Sequence, residues 1–307
     1  MSTVRSYLSL IKFSHTVFAM PFAMIGFFLG VVYMRNLAPG DTGDQWYSVE
    51  VFGIETNGML VKFVLVVLCM VFARSAAMAF NRYLDRAFDK QNPRTAVREI
   101  PAGIISAGSA LFFTIACCFL FMASAFFINQ LCFFLSPVAL LVILGYSFTK
   151  RFTALCHLVL GLGLALAPIG SFLAVTGEFS ILPVLFSLAV IFWVSGFDVI
   201  YALQDEEFDR SQQLYSIPAS FGKQKALRIS ELLHLMSAIA VMIAGIIGSF
   251  GIFFWIGFAV FAGMLIYQHS IVKPTDLRRV NLAFMTANGV ASVVFSIFVI
   301  TDLFITF

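Results

Sequence analysis

Charged residues are scarce in this sequence. They make up 11% of its 307 residues, whereas apolar residues make up 61%; an ordinary soluble domain is roughly 25% charged. A chain with so few charges cannot cover a large surface in water, so its composition excludes a typical soluble or disordered protein. The sequence also lacks a short N-terminal apolar core with a small-residue cleavage site, so we expect no signal peptide.

Residues that build soft metal sites or nucleophilic triads are few and scattered. The four histidines form no metal motif. The cysteines lie in apolar stretches without ligand spacing, and we interpret them as packing or lipid-facing residues; they are Cys69, Cys117, Cys118, Cys132 and Cys156. Because neither a Ser/His/Asp nor a Cys/His arrangement stands out, the sequence does not predict covalent catalysis by a protein nucleophile.

Long apolar runs dominate the sequence instead. A helix needs about 20 apolar residues to cross a bilayer, and we identify nine such runs: 13–34, 60–80, 106–128, 131–148, 154–175, 181–203, 226–248, 251–270 and 282–303. They predict an all-α polytopic membrane protein with nine transmembrane helices, forming one domain over residues 1–307. The polar segment 35–59 is expected to be a solvated connection between the first two helices.

The distribution of basic residues predicts the orientation. If the N-terminus lies in the cytosol, all but Arg35, Lys62 and Arg74 of the nineteen Lys and Arg residues fall on the cytosolic side. Cytosolic loops are enriched in Lys and Arg, so this orientation is favoured. We therefore expect an integral protein of a bacterial inner or plasma membrane. Its two longer charged loops, 82–105 and 204–225, should then face the cytosol.

The first of two acidic motifs follows the second apolar run. Asn81, Asp85 and Asp89 are spaced four residues apart and so share one face of a helix. An acid near a bilayer costs a few kcal/mol unless it is wet, paired or bound to a metal. A single acid at this depth could be a solvated helix end, but a matched stripe favours a site.

The second motif follows the sixth run. Asp198 and Asp205 are seven residues apart, about two helical turns, and Asp209 is one turn further, so all three are expected to align on one helix. Glu206 and Glu207 point elsewhere on that helix and are interpreted as solvated. Tyr201, Asp205 and Asp209 also repeat the spacing of the first motif. Two such stripes facing each other would suit Mg²⁺, which binds a few carboxylates and completes its shell with phosphate oxygens.

Cations accompany the acids. Arg74 lies seven residues before Asn81 on nearly the same helix face, and it is either a structural ion-pair partner or an anion contact deep in a cavity. Four further cations fall on the same side as the acids, where they either touch anionic lipid or bind a diphosphate; they are Arg94, Arg98, Lys150 and Arg151. A subset of the 37 phenylalanines is expected to line a groove for an isoprenoid tail.

Taken together, these motifs resemble the UbiA superfamily of intramembrane aromatic prenyltransferases, and especially the 4-hydroxybenzoate polyprenyltransferases. The resemblance covers almost the whole chain. Besides the two acidic motifs, it rests on a set of shorter patterns: Lys12 with Pro21, Arg94-Thr-Ala-x-Arg98-x-x-Pro101-x-Gly103, Tyr146-x-x-x-Lys150-Arg151, Ala167-Pro168 and Phe221-Gly222.

This resemblance implies nine helices around a central cavity, with an active site that faces the cytosol. It implies that Asn81, Asp85 and Asp89 hold one Mg²⁺, that Asp205 and Asp209 hold a second, and that Asp198 lines the same pocket. Asp85, Asp198 and Asp205 are thus the candidate catalytic residues. The candidate substrate-binding residues, for a polyprenyl diphosphate and an aromatic acid, are Arg74, Arg94, Arg98, Lys150, Arg151 and Tyr201.

Two departures from the family pattern leave the acceptor open. Arg82 occupies a position where many 4-hydroxybenzoate enzymes have Asp, and the segment 214–218 differs from the usual Lys-Ser-Thr type. Both variants are similar to a branch linked to menaquinone made through the futalosine route. Other acceptors of the superfamily, as in haem O, chlorophyll or geranylgeranylglyceryl phosphate synthesis, are also possible. An ion-coupled transporter is the rival of another class, although its ionisable groups should cluster near the midplane.

Overall fold

A computed structural model describes residues 3–11, 20–37, 48–51 and 54–307 of the chain. Most of this part is helical, and we number its α-helices in chain order: α1 Thr3–Leu10, α2 Met20–Leu37, α3 Gly58–Gln91, α4 Ala107–Ile128, α5 Gln130–Thr149, α6 Cys156–Thr176, α7 Ile181–Ala202, α8 Glu206–Ser211, α9 Ile217–Phe221, α10 Lys223–Ile247, α11 Ile252–Ile271 and α12 Asn288–Thr306. A 3₁₀ turn, Leu203–Asp205, joins α7 to α8, and a π-helical segment, Leu282–Ala287, leads into α12. One antiparallel hairpin, β1 Ser48–Val51 and β2 Ile54–Asn57, precedes α3.

Nine helical stretches among the described residues are long and apolar enough to cross a membrane: Met20–Leu37, Gly58–Gln91, Ala107–Ile128, Gln130–Thr149, Cys156–Thr176, Ile181–Ser211, Lys223–Ile247, Ile252–Ile271 and Leu282–Thr306. This confirms the all-α membrane fold and the nine predicted spans. Residues 13–19 of the first predicted span, together with Lys12, lie outside the described residues. The prediction for span four, 131–148, differs from the observed α5 by one residue at each end.

Two of the predicted loops are partly helical. The segment 82–105 begins inside α3, which continues to Gln91, so the whole first acidic motif is helical. The segment 204–225 contains α8 and α9 rather than an extended loop. In the connection 35–59, α2 continues to Leu37, and the two strands occupy residues 48–51 and 54–57. Apolar run length marks where a helix enters lipid, and these helices continue past that point.

Aromatic side chains from four helices form the core around α7. Trp193 of α7 is fully buried and its ring centroid lies 5.2 Å from that of Phe22 on α2. Phe261 of α11 and Phe295 of α12 are also fully buried, with centroids 5.2 Å apart. Large tilted aromatic pairs of this kind bury much apolar area and add a small specific attraction. They make α7, which carries Asp198, the most firmly held helix of the bundle.

A close approach of α6 to α7 places the site residues of both helices side by side. A Cβ atom on Gly161 of α6 would lie only 2.5 Å from the carbonyl oxygen of Ile191 on α7, so only glycine is accommodated here. Ser195 of α7 donates to the carbonyl oxygen of His157, one turn before Gly161. Small residues let membrane helices approach in this way. The contact brings His157 next to the following turn of α7, where Asp198 lies.

Candidate active site

The acids of the first motif lie on α3 as the four-residue spacing predicted. Asn81 donates from Nδ2 to Oδ2 of Asp85 over 3.1 Å. The other carboxylate oxygen of Asp85 accepts a hydrogen bond from Arg151, at 2.8 Å. Arg151 therefore pairs with a predicted metal ligand, although 66 residues separate the two in sequence.

Asp89, the last acid of the first motif, lies between two guanidinium groups. Its Oδ1 is 2.6 Å from Arg98, and its Oδ2 is 3.9 Å from Arg82. Arg82 is buried, so the side chain that departs from the family pattern points into the protein rather than to solvent. Among the described residues, no donor makes a hydrogen bond to Asp89 Oδ2. Asp89 thus has a cation on each side of its carboxylate.

The second motif does not form the single continuous helix that we predicted. The α-helix ends at Ala202, and the 3₁₀ turn rotates Asp205 away from the direction that two α-helical turns would give it. Asp205 forms a short ion pair with Arg94, whose Nε also donates to Oδ1 over 3.0 Å. Asn92 donates to the same oxygen over 3.1 Å. The loop after the first motif is therefore bonded to the second motif.

Asp209 is almost fully buried in α8. Its Oδ1 lies 2.7 Å from Lys150 Nζ, and its Oδ2 accepts a hydrogen bond from Ser216 over 2.9 Å. The prediction that Glu206 is solvated is wrong, because this side chain is buried and pairs with Arg210 at 2.9 Å and with Lys223 at 3.7 Å.

Lys150 and Arg151 are adjacent in the chain but reach different motifs. Lys150 contacts Asp209 of the second motif, and Arg151 contacts Asp85 of the first. The turn that follows α5 thus inserts two cations between the acids. Burial alone would lower the pKa of Lys150, but the negative charge and hydrogen bond of Asp209 outweigh it and raise that pKa above its ordinary value. Lys150 therefore carries a positive charge at neutral pH.

Arg94 is held from two sides. Besides its bonds to Asp205, it donates to the hydroxyl of Tyr201 over 2.9 Å, and its guanidinium carbon lies 5.2 Å from the centre of the tyrosine ring. Burial acts to lower the pKa of Arg94, yet the hydrogen bonds and charge of Asp205 raise it. The Tyr201 ring in turn packs against Phe284, with centroids 4.4 Å apart. Phe284 belongs to the π-helical segment, an irregularity often found at functional sites.

His157 is a site residue that the sequence analysis missed. Its Nδ1 lies 2.6 Å from Oδ2 of Asp198, and the imidazole is almost completely buried. The sequence offered no sign of this pair, because 41 residues separate the two and His157 belongs to no motif of metal-ligand spacing. All five acids of the two predicted stripes thus have a cationic or imidazole partner in the structure.

An apolar cavity of about 380 Å³ lies between α3, α4, α5 and α6. Arg74 and Tyr146 line it among mainly aliphatic side chains. The phenol of Tyr146 is within electrostatic range of Asp85, Asp198 and Arg74. One part of the cavity wall is therefore close to the acids, whereas residues such as Val66 and Ile128 extend the wall toward the opposite ends of α3 and α4. Of the 37 phenylalanines, Phe121 and Phe179 line this cavity.

Arg74 is partly buried in the wall of the cavity, with its Nε enclosed. Its Nε makes no hydrogen bond among the described residues, and none of the ion pairs found there includes it. The structural ion-pair interpretation therefore has no partner acid in the described part of the chain. A guanidinium with an unsatisfied Nε in a mainly apolar cavity suits an anionic ligand group.

The oxygen atoms of the two acidic motifs are suitable ligands for a hard divalent cation, although the acids do not form a closed metal site. Within the described residues, no group of three or more His, Cys, Asp and Glu side chains lies close enough to hold a metal ion. Carboxylate and amide oxygens of Asn81, Asp85, Asp205 and Asp209 are nevertheless ligands that Mg²⁺ accepts, and it commonly uses only one or two carboxylates together with phosphate oxygens. The buried Asp89 Oδ2, which lacks a hydrogen-bond donor, is a further available oxygen.

Comparison with known proteins identifies the class. The UbiA prenyltransferase family matches residues 51–290. A 4-hydroxybenzoate octaprenyltransferase from Nitrosomonas eutropha is 31% identical over 256 residues, which cover 82% of this chain and 88% of that protein. One from Tolumonas auensis is 30% identical over 244 residues, covering 80% and 84%. The chain therefore belongs to the UbiA prenyltransferase family, and it is a transferase of the membrane.

Solved structures agree on the fold. A UbiA homolog from Aeropyrum pernix K1, determined in the apo state, is 27% identical with a TM-score of 0.74, covering 95% of this chain and 98% of that one. A UbiA homolog from Archaeoglobus fulgidus bound to DMAPP and Mg²⁺ is 20% identical with a TM-score of 0.69, covering 98% and 99%. The resemblance inferred from the motifs is thereby confirmed.

Proposed function

We propose that this protein transfers a polyprenyl group from a polyprenyl diphosphate to an aromatic acid of the 4-hydroxybenzoate type in quinone biosynthesis, with Mg²⁺ as cofactor. One observation carries the proposal. Both acidic motifs, the cations between them and the wall of an apolar cavity meet at one end of the helix bundle. A charged headgroup and a long apolar tail need this combination of surfaces. The names of the relatives and the Mg²⁺-bound homolog support the same assignment.

The acids and cations have separate roles in this proposal. Asn81, Asp85 and Asp89 hold one Mg²⁺, and Asp205 with Asp209 holds the second. Bound Mg²⁺ would neutralise the charge that develops on the leaving diphosphate. The chain supplies further positive charge for the diphosphate from Arg94, Arg98, Lys150 and Arg151, whose present partners are the acids themselves.

The reaction needs no protein nucleophile. The bond between the allylic carbon C1 and the diphosphate oxygen breaks, and the diphosphate keeps the electron pair. A carbon of the aromatic ring bonds to C1, and the ring then loses its proton to a base. Arg74 and Tyr146 lie where the cavity wall approaches the acids, so they are placed to hold the carboxylate and the ring of the acceptor. The aliphatic remainder of the cavity accepts isoprenoid units.

A product assay tests the proposal. Purified protein in liposomes is given Mg²⁺, a polyprenyl diphosphate and, one at a time, 4-hydroxybenzoate, other aromatic acids and a glyceryl phosphate, and the products are identified by mass spectrometry. We expect a prenylated aromatic acid. A product from the glyceryl phosphate alone would assign a different acceptor class. Absence of any prenylated product, together with ion uptake by the liposomes, would favour the transporter instead.

A further inference from the structure

His157 and Asp198 form a buried pair whose proton can be placed. A backbone N–H group can only donate, and that of Ile217 lies 3.3 Å from His157 Nε2, so this nitrogen is the acceptor. Nδ1 then carries a proton, as it also does in the imidazolium, and it donates to Asp198 Oδ2 over 2.6 Å. The amide of Ile217 thus selects the tautomer that gives Asp198 a hydrogen bond.

Three consecutive residues hold this arrangement in place. The N–H of Tyr215 donates to the carbonyl oxygen of Lys150 over 2.7 Å, and the hydroxyl of Ser216 donates to Asp209. Ile217 then contacts His157 as described. The segment 214–218, where the sequence departs from the usual Lys-Ser-Thr type, therefore connects the acid–cation pair of the second motif with the His157–Asp198 pair.

The side chain of Asp198 is only partly enclosed. About a quarter of its side chain is exposed, whereas only 4% of the His157 side chain is. The Oδ2 of Asp198 accepts a hydrogen bond from the imidazole. The carboxylate also lies within electrostatic range of the Tyr146 phenol in the cavity wall. A buried histidine that only completed the packing would not need a hydrogen bond to a partly exposed carboxylate within electrostatic range of the cavity wall. The close contact of α6 and α7 at Gly161 fixes the distance between the two helices.

We infer that His157 is a positioning residue: its Nδ1–H binds one oxygen of Asp198 and turns the other oxygen toward the aromatic acceptor. The inference rests on the proposed function and extends it to a residue outside the acidic motifs. With its carboxylate fixed, Asp198 can accept the proton that the ring loses when the C–C bond has formed. A rotating carboxylate would meet that proton in only some of its orientations, so turnover would fall more than substrate binding.

The test compares three substitutions at one position. His157→Leu keeps a similar apolar volume without a donor, whereas His157→Asn and His157→Gln keep an N–H donor. We expect His157→Leu to lower kcat at least tenfold, with KM for the polyprenyl diphosphate changed less than about threefold. We expect at least one amide variant to recover most of kcat. His234→Leu is the matched control: His234 is equally buried and also packs against α7, at Gly196, but it bonds to His269 instead of an acid. It should leave kcat unchanged per folded molecule.

Each kcat is divided by the amount of protein that remains folded in detergent, so a loss of folding is not mistaken for a loss of catalysis. Wild-type kcat in His157→Leu would overturn the inference, as would equal losses in all three variants or a parallel rise in diphosphate KM. If the wild-type protein forms no prenylated product from any substrate pair, the proposed function fails and the inference fails with it. If the wild-type protein is active and His157→Leu matches it, only the inference fails.

Discussion

Lys150 and Arg151 are neighbours in the sequence, but Lys150 pairs with Asp209 at 2.7 Å and Arg151 pairs with Asp85 at 2.8 Å. One turn of the chain therefore connects two acidic motifs that lie 120 residues apart. Because each cation neutralises an acid, these pairs lower the cost of placing several carboxylates near the membrane. The same two cations are therefore next to the acids that we propose as Mg²⁺ ligands, where they can also bind the diphosphate.

The first prediction concerns Arg94. Since Arg94 lies in the loop between the motifs and bonds to Asp205 and Tyr201, we expect it to meet the diphosphate. Arg94→Ala should raise KM for the polyprenyl diphosphate by about tenfold or more, the loss expected for one charged hydrogen-bond pair. Steady-state kinetics with each substrate varied in turn measure this. Arg278→Ala is the control, because Arg278 is highly exposed and pairs only locally with Asp276. A rise in acceptor KM alone would contradict the assignment.

The second prediction concerns Arg74. A guanidinium binds a carboxylate through two parallel hydrogen bonds, and an ammonium cannot reproduce that geometry. Arg74→Lys should therefore raise KM for the aromatic acid by about tenfold while leaving KM for the diphosphate nearly unchanged. If acceptor KM stays constant and the melting temperature falls instead, Arg74 has a structural role and the acceptor pocket lies elsewhere.

The third prediction concerns the Lys150–Asp209 pair. Lys150→Met leaves the buried carboxylate of Asp209 without its cation, so the melting temperature in detergent should fall, and Asp209→Asn in the same chain should restore part of it. The loss is smaller than for a fully buried pair because about a third of the Lys150 side chain reaches solvent. An additive double variant would show that the pair contributes nothing to stability.

The pH dependence of that pair follows from the raised pKa of Lys150. A folded-state pKa above the unfolded value means that the stabilisation is fully present below the unfolded value and is lost as pH rises through the folded one. The difference in melting temperature between wild-type and Lys150→Met protein should therefore be constant from pH 6 to pH 9 and shrink only in stronger alkali. A difference that disappears below pH 9 would contradict the assigned direction.

The sequence predicted the architecture well because apolar run length and helical spacing are local properties. Each of the nine runs corresponds to a membrane-length helix among the described residues, and the four-residue spacing placed Asn81, Asp85 and Asp89 on one helix face. It also identified the cations that lie among the acids, including Arg94 and Arg151. These signals depend only on residues that are close in the chain.

Contacts between distant segments were not predictable in the same way. The partnership of His157 with Asp198 depends on how closely α6 approaches α7, which Gly161 sets and no motif reveals. At the 3₁₀ turn Asp205 bonds to Asn92 and Arg94 of the loop after the first motif, and the buried Glu206 pairs with Arg210 and Lys223. From helical periodicity alone we predicted one straight helix with a solvated face in this segment. That prediction was wrong about the straight helix and about Glu206.

The fourth prediction concerns orientation. The excess of Lys and Arg on one side predicts that positions near Lys90 and Lys223 face the cytosol and that positions near Asp44 and Phe307 face the other side. Single cysteines introduced in a background without the five native cysteines can be labelled from outside intact cells. Labelling at Lys90 before lysis would contradict the predicted orientation, and a cytosolic Phe307 would contradict the count of nine crossings.

The most direct test of the account asks whether the two acidic motifs form one Mg²⁺–diphosphate site. Asp85→Asn and Asp205→Asn are assayed in liposomes for prenylated aromatic acid by mass spectrometry, with Glu207→Gln as the control because Glu207 is an exposed acid of the same region. The account predicts no product from either aspartate variant, normal product from the control, and wild-type activity that stops with EDTA and returns with Mg²⁺. Product formation in EDTA, or by both aspartate variants, would contradict it.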